Sequence, residues 1–347
     1  MSINFRSDNE APAAPEILDA IAAVNVGFVP SYGEDQLTAD LERKFSEVFA
    51  TEVQVWPLAT GTAANSLAMA QICAPFGSIY CHADAHLNTD ECGAPEFFTA
   101  GAKLVGLDGD HGKLKAEDLA SALDETGYLD DHEVLPLALT LSQATEFGTV
   151  YTPDEVKSLC EVARDHDLKV HMDGARFANA VQSLGVAPAD ITWKAGIDLL
   201  SFGATKNGAM MAEALLVFDP ALAVQLGRKR KRAGHLLSKM RFVSAQLDAC
   251  LADDRWLRWA ANANQQAAKL SAGLTGLPGI ELLHPVQANE VFVRMDEKIS
   301  GGLYEADFQF HLWPGTRDIY RLVCAWCTKD EEVDALLSRA SQLASAG

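Results

Sequence analysis

The sequence predicts an α/β protein with a mainly parallel central sheet, followed by a smaller α+β region. Between residues 53 and 202, short apolar segments of strand length alternate with segments whose apolar residues have helical spacing. Such alternation is typical of parallel strands connected by helices. Beyond residue 250 the alternation stops, and two strand-like segments occur among helices. We expect an N-terminal segment over residues 1–15, a large domain over 16–249 and a small domain over 250–347.

Apolar periodicity and turn residues place the elements of the large domain. Predicted strands lie at residues 53–58, 78–81, 103–107, 134–141, 170–172 and 199–202. Predicted helices lie at residues 15–24, 37–49, 67–72, 115–123 and 153–165. The last of these begins with Pro153 after Thr152, residues that are typical of a helix start.

The remaining elements follow from the same reasoning. Residues 222–259 predict one long helix that carries a basic run. Further helices are expected at residues 262–274 and 331–343, and strands at residues 289–294 and 320–325. Two or three strands with helices on one side would form the small domain.

The composition indicates an ordinary globular protein, and its net charge excludes some classes of partner. Hydrophobic residues make up 48% of the 347 residues, and the formal net charge is -20. This charge argues against nucleic acid and anionic membrane surfaces as partners. The best apolar run, residues 208–218, is interrupted by Glu213 and is too short to span a bilayer. Seven scattered cysteines and a start unlike a signal peptide predict a cytoplasmic protein. Cys324 and Cys327 form a lone C-x-x-C pair without a second pair, so we expect no metal site there.

Two polar residues follow buried strands of the predicted sheet. Asp173 stands where the strand at residues 170–172 stops, and Lys206 follows the strand at residues 199–202. In a parallel sheet both would lie at carboxyl ends of strands, where such sheets bind ligands. A carboxylate suits a pyridinium nitrogen, and a lysine amine forms a Schiff base with an aldehyde. Each residue alone is more often a helix cap or a solvated cation, but the pair predicts pyridoxal phosphate.

The turn at residues 60–65 is a candidate phosphate site. Thr60, Gly61, Thr62 and Ala63 join a predicted strand to a helix, so their backbone N–H groups would face an anion. Small residues at such turns usually only allow tight packing. The interpretation of this turn as a phosphate site is better supported because Asp173 and Lys206 follow it, and the three together supply what pyridoxal phosphate needs.

His86 lies just beyond the strand at residues 78–81 and has two interpretations. It is either a loop histidine with a satisfied hydrogen bond, or an aromatic plate stacked on the cofactor ring that also handles protons.

Several arginines are candidates for binding an anionic substrate. Arginine binds carboxylates through two parallel hydrogen bonds, and Arg294, Arg317 and Arg321 occur near the carboxyl terminus, with Ser7 at the start. Arg241 could reach a phosphate or a neighbouring subunit.

Together these motifs resemble the low-specificity L-threonine aldolases, which are pyridoxal-phosphate enzymes of fold type I. The matching segments run in family order at residues 6–8, 32–35, 60–65, 85–86, 173–176, 206, 239–241 and 320–323. The resemblance implies a large domain with a mainly parallel seven-stranded sheet and a small C-terminal α+β domain. It also implies retro-aldol cleavage of L-threonine, L-allo-threonine or related amino acids such as phenylserine, giving glycine and an aldehyde.

The resemblance further implies roles for individual residues. Lys206 would carry the cofactor as a Schiff base, Asp173 would pair with its pyridinium nitrogen, and His86 would stack on its ring. The other cofactor contacts that it implies are Gly61, Thr62, Ala63, Arg176 and Arg241. The substrate carboxylate would be bound by Ser7, Arg176 and Arg321, so the N-terminal segment would contribute to the active site.

The chain departs from the family pattern in two places. Thr60 stands where serine is usual, and the loop at residues 142–148 lacks the second active-site histidine of many members. The sequence therefore leaves two candidates for the base that takes the β-hydroxyl proton, His86 and Glu146. A homodimer or homotetramer with shared active sites is also implied, in which Tyr32 and Arg241 would reach a neighbour. The alternatives are a fold-type I aminotransferase, a β-eliminating lyase, or a module that binds pyridoxal phosphate without turnover.

Overall fold

The computed structural model describes residues 2–127 and 130–345 of the chain. Its strands are β1 (Ile3–Asn4), β2 (Gln54–Leu58), β3 (Gly77–His82), β4 (Lys103–Leu107), β5 (Leu135–Ser142), β6 (Lys169–Gly174), β7 (Leu199–Gly203), β8 (Glu213–Val217), β9 (Ile280–Leu282), β10 (Glu290–Met295), β11 (Phe308–Gln309), β12 (His311–Leu312) and β13 (Ile319–Val323). Its α-helices are α1 (Pro15–Ala23), α2 (Gln36–Phe49), α3 (Gly61–Ile72), α4 (His86–Thr89), α5 (Ala94–Thr99), α6 (Ala116–Asp124), α7 (Pro153–Asp165), α8 (Phe177–Leu184), α9 (Leu226–Arg232), α10 (Arg241–Leu251), α11 (Arg255–Leu274), α12 (Glu297–Glu305) and α13 (Asp330–Ser345). Of these described helices, none has the length and apolar character needed to cross a membrane.

Within the described residues, a central sheet of seven strands runs in the order β2-β8-β7-β6-β5-β3-β4. All neighbouring pairs are parallel except those of β8, which is antiparallel to both β2 and β7. The expected mainly parallel seven-stranded sheet is confirmed. Strand β8 was not predicted, because its five residues lie within an apolar run that has no period by which to recognise a strand.

Helices cover both faces of the central sheet. On one face, Phe45 of α2, Phe202 of β7 and Trp256 of α11 form an aromatic core, with ring centroids 5.1 and 5.5 Å apart along that series. On the other face, Leu67 of α3 packs against Leu199 of β7 in a second core. Because its strands are buried on both sides, they appear in the sequence as continuous apolar runs.

A second sheet follows in the C-terminal part of the described chain, with four antiparallel strands in the order β12-β13-β10-β9. The sequence predicted only two or three strands there, because β9 and β12 span three and two residues. Helices α11, α12 and α13 contribute to the core of this region. Strand β1 pairs in parallel with β11, and Phe5 enters the same core. The N-terminal segment is thereby fixed beside the second sheet.

The single long helix predicted at residues 222–259 is wrong. The segment contains α9, α10 and the start of α11 instead. Gly234 has a φ of 80° shortly after α9, and Asp253 and Asp254 have φ values of 53° and 54° before α11. These left-handed backbone angles cannot continue a right-handed helix. The next helix therefore begins earlier than predicted, at Arg255.

Candidate functional site

A cavity of about 260 Å³ opens at the carboxyl edge of the central sheet. Its walls come from the turn between β2 and α3, from α4, from the loop after β5 and from the ends of β6 and β7. The lining residues are Asn9, Ala59, Thr60, Gly61, Thr62, Asn65, His86, Glu91, Ser142, Ala144, Glu146, Asp173, Ala175, Arg176, Ser201, Thr205, Lys206 and Glu213. The structure thus brings together most of the predicted site residues. Among the described residues, the predicted ligands Ala63, Arg241, Ser7 and Arg321 are outside this lining.

The predicted phosphate turn forms the amino terminus of α3, which begins at Gly61 rather than at the predicted residue 67. The Thr60 hydroxyl accepts a hydrogen bond from the Ala63 N–H at 3.2 Å and so caps the helix. The Ala63 donor is therefore already used, whereas Gly61 and Thr62 face the cavity. A Cβ atom added at Gly61 would meet nothing within 4 Å, which leaves space for a bound group. The dipole of a twelve-residue helix favours an anion there.

Asp173 lies at the end of β6 with its carboxylate almost fully buried. One oxygen, Oδ1, accepts from the Ala175 N–H at 3.0 Å, and Oδ2 accepts from the Asn65 amide at 2.8 Å. These two donors hold the carboxylate in one orientation. Asn65 is contributed by α3, which packs on this face of the sheet.

Lys206 lies in a short helical turn after β7, beside a carboxyl group that sequence reasoning missed. Glu213, the first residue of β8, is buried in the cavity wall, where Oε2 accepts from the Ala204 N–H at 3.1 Å. Burial raises the pKa of Glu213 to about 7, although Thr205 and Lys206 lower it. A lone carboxylate inside an apolar run was the signal that could have revealed it.

His86 begins α4, and its ring is tied to a second carboxylate that the sequence did not single out. The Nδ1 atom lies 2.9 Å from Oε1 of Glu91, whose side chain is fully buried. The hydrogen bond that the ring donates to Glu91 raises the pKa of His86, although burial lowers it. Glu146, from the loop after β5, accepts from the His86 backbone N–H at 3.3 Å. Glu91 stands in a polar turn, which gives no pattern by which to recognise it.

Arg176 is held by two buried carboxylates. Its Nε and Nη2 donate to Asp8 at 2.8 and 3.0 Å, and its Nη1 lies 3.2 Å from Oε2 of Glu290. Glu290 also lies 3.5 Å from Nη1 of Arg321, so it bridges the two arginines. Burial raises the pKa of Glu290, although both arginines lower it. These contacts use only part of the N–H donors of Arg176, which also lines the cavity.

The remaining predicted ligands have other contacts. Ser7 accepts from the Asn9 N–H at 3.2 Å and so caps the short turn that carries Asp8. The guanidinium of Arg321 lies 5.7 Å from the ring centroid of Trp313. That of Arg241 lies 5.1 Å from the ring of the next residue along α10.

Asp8 is expected to stabilise the fold at neutral pH. Burial raises its pKa, but Arg176 and Lys206 outweigh burial and hold the pKa at about 2, below the ordinary value of 3.8. This stabilisation is therefore fully present above pH 3.8 and is lost as the pH falls toward 2. We expect Asp8→Asn to lower the free energy of unfolding by about 3 kcal/mol at neutral pH, because it removes one of the two carboxylates that compensate the buried guanidinium of Arg176.

Urea unfolding at several pH values measures this effect. The difference between wild type and Asp8→Asn should shrink as the pH falls below 3.8, whereas Asp253→Asn, which changes an exposed surface ion pair, should show little difference throughout. A difference for Asp8→Asn that stayed constant with pH would contradict the assigned pKa.

The residues around the cavity fit pyridoxal phosphate. The open amino terminus of α3 suits a phosphate, the buried carboxylate of Asp173 suits a protonated ring nitrogen, and the amine of Lys206 lies in the same cavity. The half-exposed His86 ring contributes an aromatic face. The structure therefore places all three chemical requirements of this cofactor around one space.

Comparison with known proteins is consistent with this site. The beta-eliminating lyase family model matches residues 4–298. The low specificity L-threonine aldolases of Pseudomonas sp. (strain NCIMB 10558) and Pseudomonas aeruginosa are 42% and 43% identical to this chain, over 96% of it and over 96% and 95% of their own lengths. The solved structure of the Leishmania major threonine aldolase has a TM-score of 0.92 and 29% identity, and the match covers 98% of this chain and 99% of that one. The chain therefore belongs to the low-specificity L-threonine aldolases, lyases of the beta-eliminating lyase family that have the type I fold of pyridoxal-phosphate enzymes.

Proposed function

We propose that this protein binds pyridoxal phosphate and cleaves L-threonine and L-allo-threonine to glycine and acetaldehyde, with other β-hydroxy-α-amino acids such as phenylserine as further substrates. The observation that carries the proposal is the convergence of Lys206, Asp173 and the open amino terminus of α3 on one cavity. The names of the relatives add support, because the two Pseudomonas proteins are called threonine aldolases and match this chain over nearly their whole length.

The cofactor contacts that we propose follow the cavity wall. Lys206 Nζ would hold the aldehyde carbon, Asp173 would keep the proton on the ring nitrogen, and Gly61 and Thr62 would bind the phosphate. When bound, pyridoxal phosphate supplies a carbonyl that takes up the substrate amine and a ring that accepts the electron pair of the breaking Cα–Cβ bond. Ala63 is a weaker phosphate ligand, because its N–H already donates to Thr60.

We propose that the substrate carboxylate binds beside Arg176. Asp8 and Glu290 orient this guanidinium while leaving part of its donors toward the cavity. Arg321, which shares Glu290 with Arg176, and Ser7, near Asp8, complete the set. This arrangement would place the amine of the substrate toward Lys206 and its β-hydroxyl toward His86.

One proton must leave the β-hydroxyl while the Cα–Cβ bond breaks, and one must return to Cα to give glycine. We assign the first transfer to His86, because its ring lines the cavity and an imidazole exchanges protons near neutral pH. Glu146 is the competing base, since it also lines the cavity beside His86.

The base assignment can be tested with two variants. We expect His86→Phe to keep pyridoxal phosphate, because phenylalanine preserves an aromatic face, and to lose about 100-fold or more in kcat for threonine cleavage. Glu146→Gln should lose much less, since a glutamine oxygen can still accept from the His86 N–H. Steady-state aldehyde release and the visible absorbance of the bound cofactor measure the two effects separately.

The opposite ranking of these variants would assign the proton transfer to Glu146. Full activity in both would leave a water molecule or the cofactor phosphate as the base.

A substrate panel tests the proposed function itself. We expect purified protein with added pyridoxal phosphate to release one aldehyde and one glycine for each threonine, allo-threonine or phenylserine consumed. The rival reaction is β-elimination, favoured by the name of the matching family model. It would give a 2-oxo acid and ammonia instead of glycine, so product analysis separates the two. Binding of the cofactor without any product would indicate a module without turnover.

We further propose that the protein is a cytoplasmic homo-oligomer, as a dimer or tetramer with shared sites. Tyr32, Met210 and Met211 are about half exposed, and Phe28 is fully exposed. We take these exposed apolar side chains as candidates for the subunit interface. Arg241, outside the cavity of its own chain, would contact the cofactor of a neighbour. If light scattering showed a monomer and this monomer had full activity, the proposal would be contradicted.

A further inference from the structure

A continuous hydrogen-bonded series of side chains runs along the wall of the cavity from Asp173 to His86. The amide nitrogen of Asn65 lies 2.8 Å from Oδ2 of Asp173 and 2.7 Å from Oε1 of Glu91. The same Oε1 lies 2.9 Å from Nδ1 of His86. Asp173 and Glu91 are thus joined by a single amide, although one comes from the central sheet and the other from the turn after α4.

The chemical types of these groups determine which atoms donate the hydrogen bonds and which accept them. An amide nitrogen carries two hydrogens and no acceptor, so Asn65 donates one hydrogen to each carboxylate. Glu91 Oε1 therefore accepts from Asn65 and also accepts from His86. Nδ1 of His86 must then carry a hydrogen, and the neutral ring has its lone pair on Nε2. The His86 side chain is 35% exposed and lines the cavity, so Nε2 is the atom available there.

The charge on Glu91 needs compensation, because its side chain is fully buried. Within the described residues, the second oxygen, Oε2, has no hydrogen-bond partner. Burial raises the pKa of Glu91, while His86 and Asn65 lower it. A protonated His86 is the cation in contact with this carboxylate, so the two groups stabilise each other's charged forms.

We propose that Glu91, anchored by Asn65, is a positioning residue that holds the His86 imidazole with Nδ1 as donor and with Nε2 directed to the cavity as a strengthened base. The proposal rests on the proposed function and adds the residue that acts through His86. The proposal also predicts how the activity depends on pH. The charged groups that face His86 are Glu91, Asp173, Glu146 and Lys206. Lys206 opposes the three carboxylates, but Glu91 is the one in direct contact with the ring.

The sign of the pH effect follows from the role of a base. His86 accepts the β-hydroxyl proton only when neutral, so kcat/KM should rise as the pH rises through the pKa of His86. Because the contact with Glu91 raises this pKa above 6.5, the acidic limb of the profile should lie above the ordinary histidine value. Below that limb the protonated ring remains paired with Glu91 and cannot take a proton.

Glu91→Gln tests the proposal in the complete enzyme with bound cofactor. We expect the pKa of His86, followed by NMR of histidine-labelled protein and assigned with His86→Phe, to fall by about one unit or more. The acidic limb of kcat/KM should move to lower pH by the same amount, and the plateau should drop severalfold because the base is weaker. Cofactor absorbance should stay, since Lys206 and Asp173 are unchanged.

Asp90→Asn is the matched control, because Asp90 is the neighbouring residue, is exposed and carries the same charge. It should leave the pKa of His86 and the pH profile unchanged. Glu91→Asp keeps the charge with a longer contact, so the pKa of His86 should lie between those of wild type and Glu91→Gln. If Glu91→Gln does not fold, Glu91→Asp and the control decide the question.

An unchanged pKa of His86 in Glu91→Gln, or an equal shift in Asp90→Asn, would overturn the proposal. The NMR titration needs no turnover. A protein that fails to cleave threonine would therefore contradict the proposed function and still report whether Glu91 controls His86.

Discussion

Replacing Lys206 with alanine is expected to leave a folded protein that loses pyridoxal phosphate on dialysis and no longer cleaves threonine. The reason is covalent, because no other amine within the described cavity lining can hold the aldehyde of the cofactor. Lys206 is only partly buried and follows β7 in a turn, so alanine at this position removes no core packing. We expect kcat to fall by about three orders of magnitude or more.

Visible absorbance after borohydride treatment and dialysis measures covalent attachment directly. Wild type should keep the reduced cofactor through denaturation, and Lys206→Ala should not. Lys157→Ala is a suitable control, because Lys157 is exposed and forms a surface ion pair with Glu161. A variant at 206 that still retained reduced cofactor would show that a different lysine is the anchor.

Asp173→Asn is expected to bind the cofactor and to lose about two to four orders of magnitude in kcat. An amide cannot stabilise a proton on the ring nitrogen, and an unprotonated pyridine accepts electrons poorly. The structure adds a second reason. Both carboxylate oxygens accept hydrogen bonds, from Ala175 and Asn65, so the NH₂ group of an asparagine would face one of two donors. The loss of that hydrogen bond costs about 1–3 kcal/mol of stability.

The two effects of Asp173→Asn are separable. Thermal unfolding with and without pyridoxal phosphate reports stability and binding, and aldehyde release reports turnover. Asp190→Asn provides a control, because Asp190 pairs with Lys194 at the surface. Turnover close to that of wild type would remove Asp173 from the proposed role.

The sequence alone predicted the features that depend on the order of residues along a short segment of the chain. A strand buried on both faces leaves an apolar run, and a residue directly after it must lie at the edge of the sheet. For this reason Asp173, Lys206 and the turn before α3 could be placed around one site from the sequence alone. The family resemblance supplied the expected role of Arg176, and it selected Arg321 and Ser7 from the candidates that the sequence had already offered for the substrate carboxylate.

The tertiary structure decided which polar groups touch. Asn65 bonds to Asp173 across 108 positions, and Arg176 bonds to Asp8 across 168. Such pairs depend on strand order and register, which set the distance between side chains that are remote in sequence. The break between α10 and α11 also required the structure, because Asp253 and Asp254 adopt left-handed backbone angles that their residue types do not dictate. The contact between Glu91 and His86 spans only five residues, but it also required the structure, because the turn after α4 brings the two side chains together at the cavity wall and no local sequence pattern indicates this.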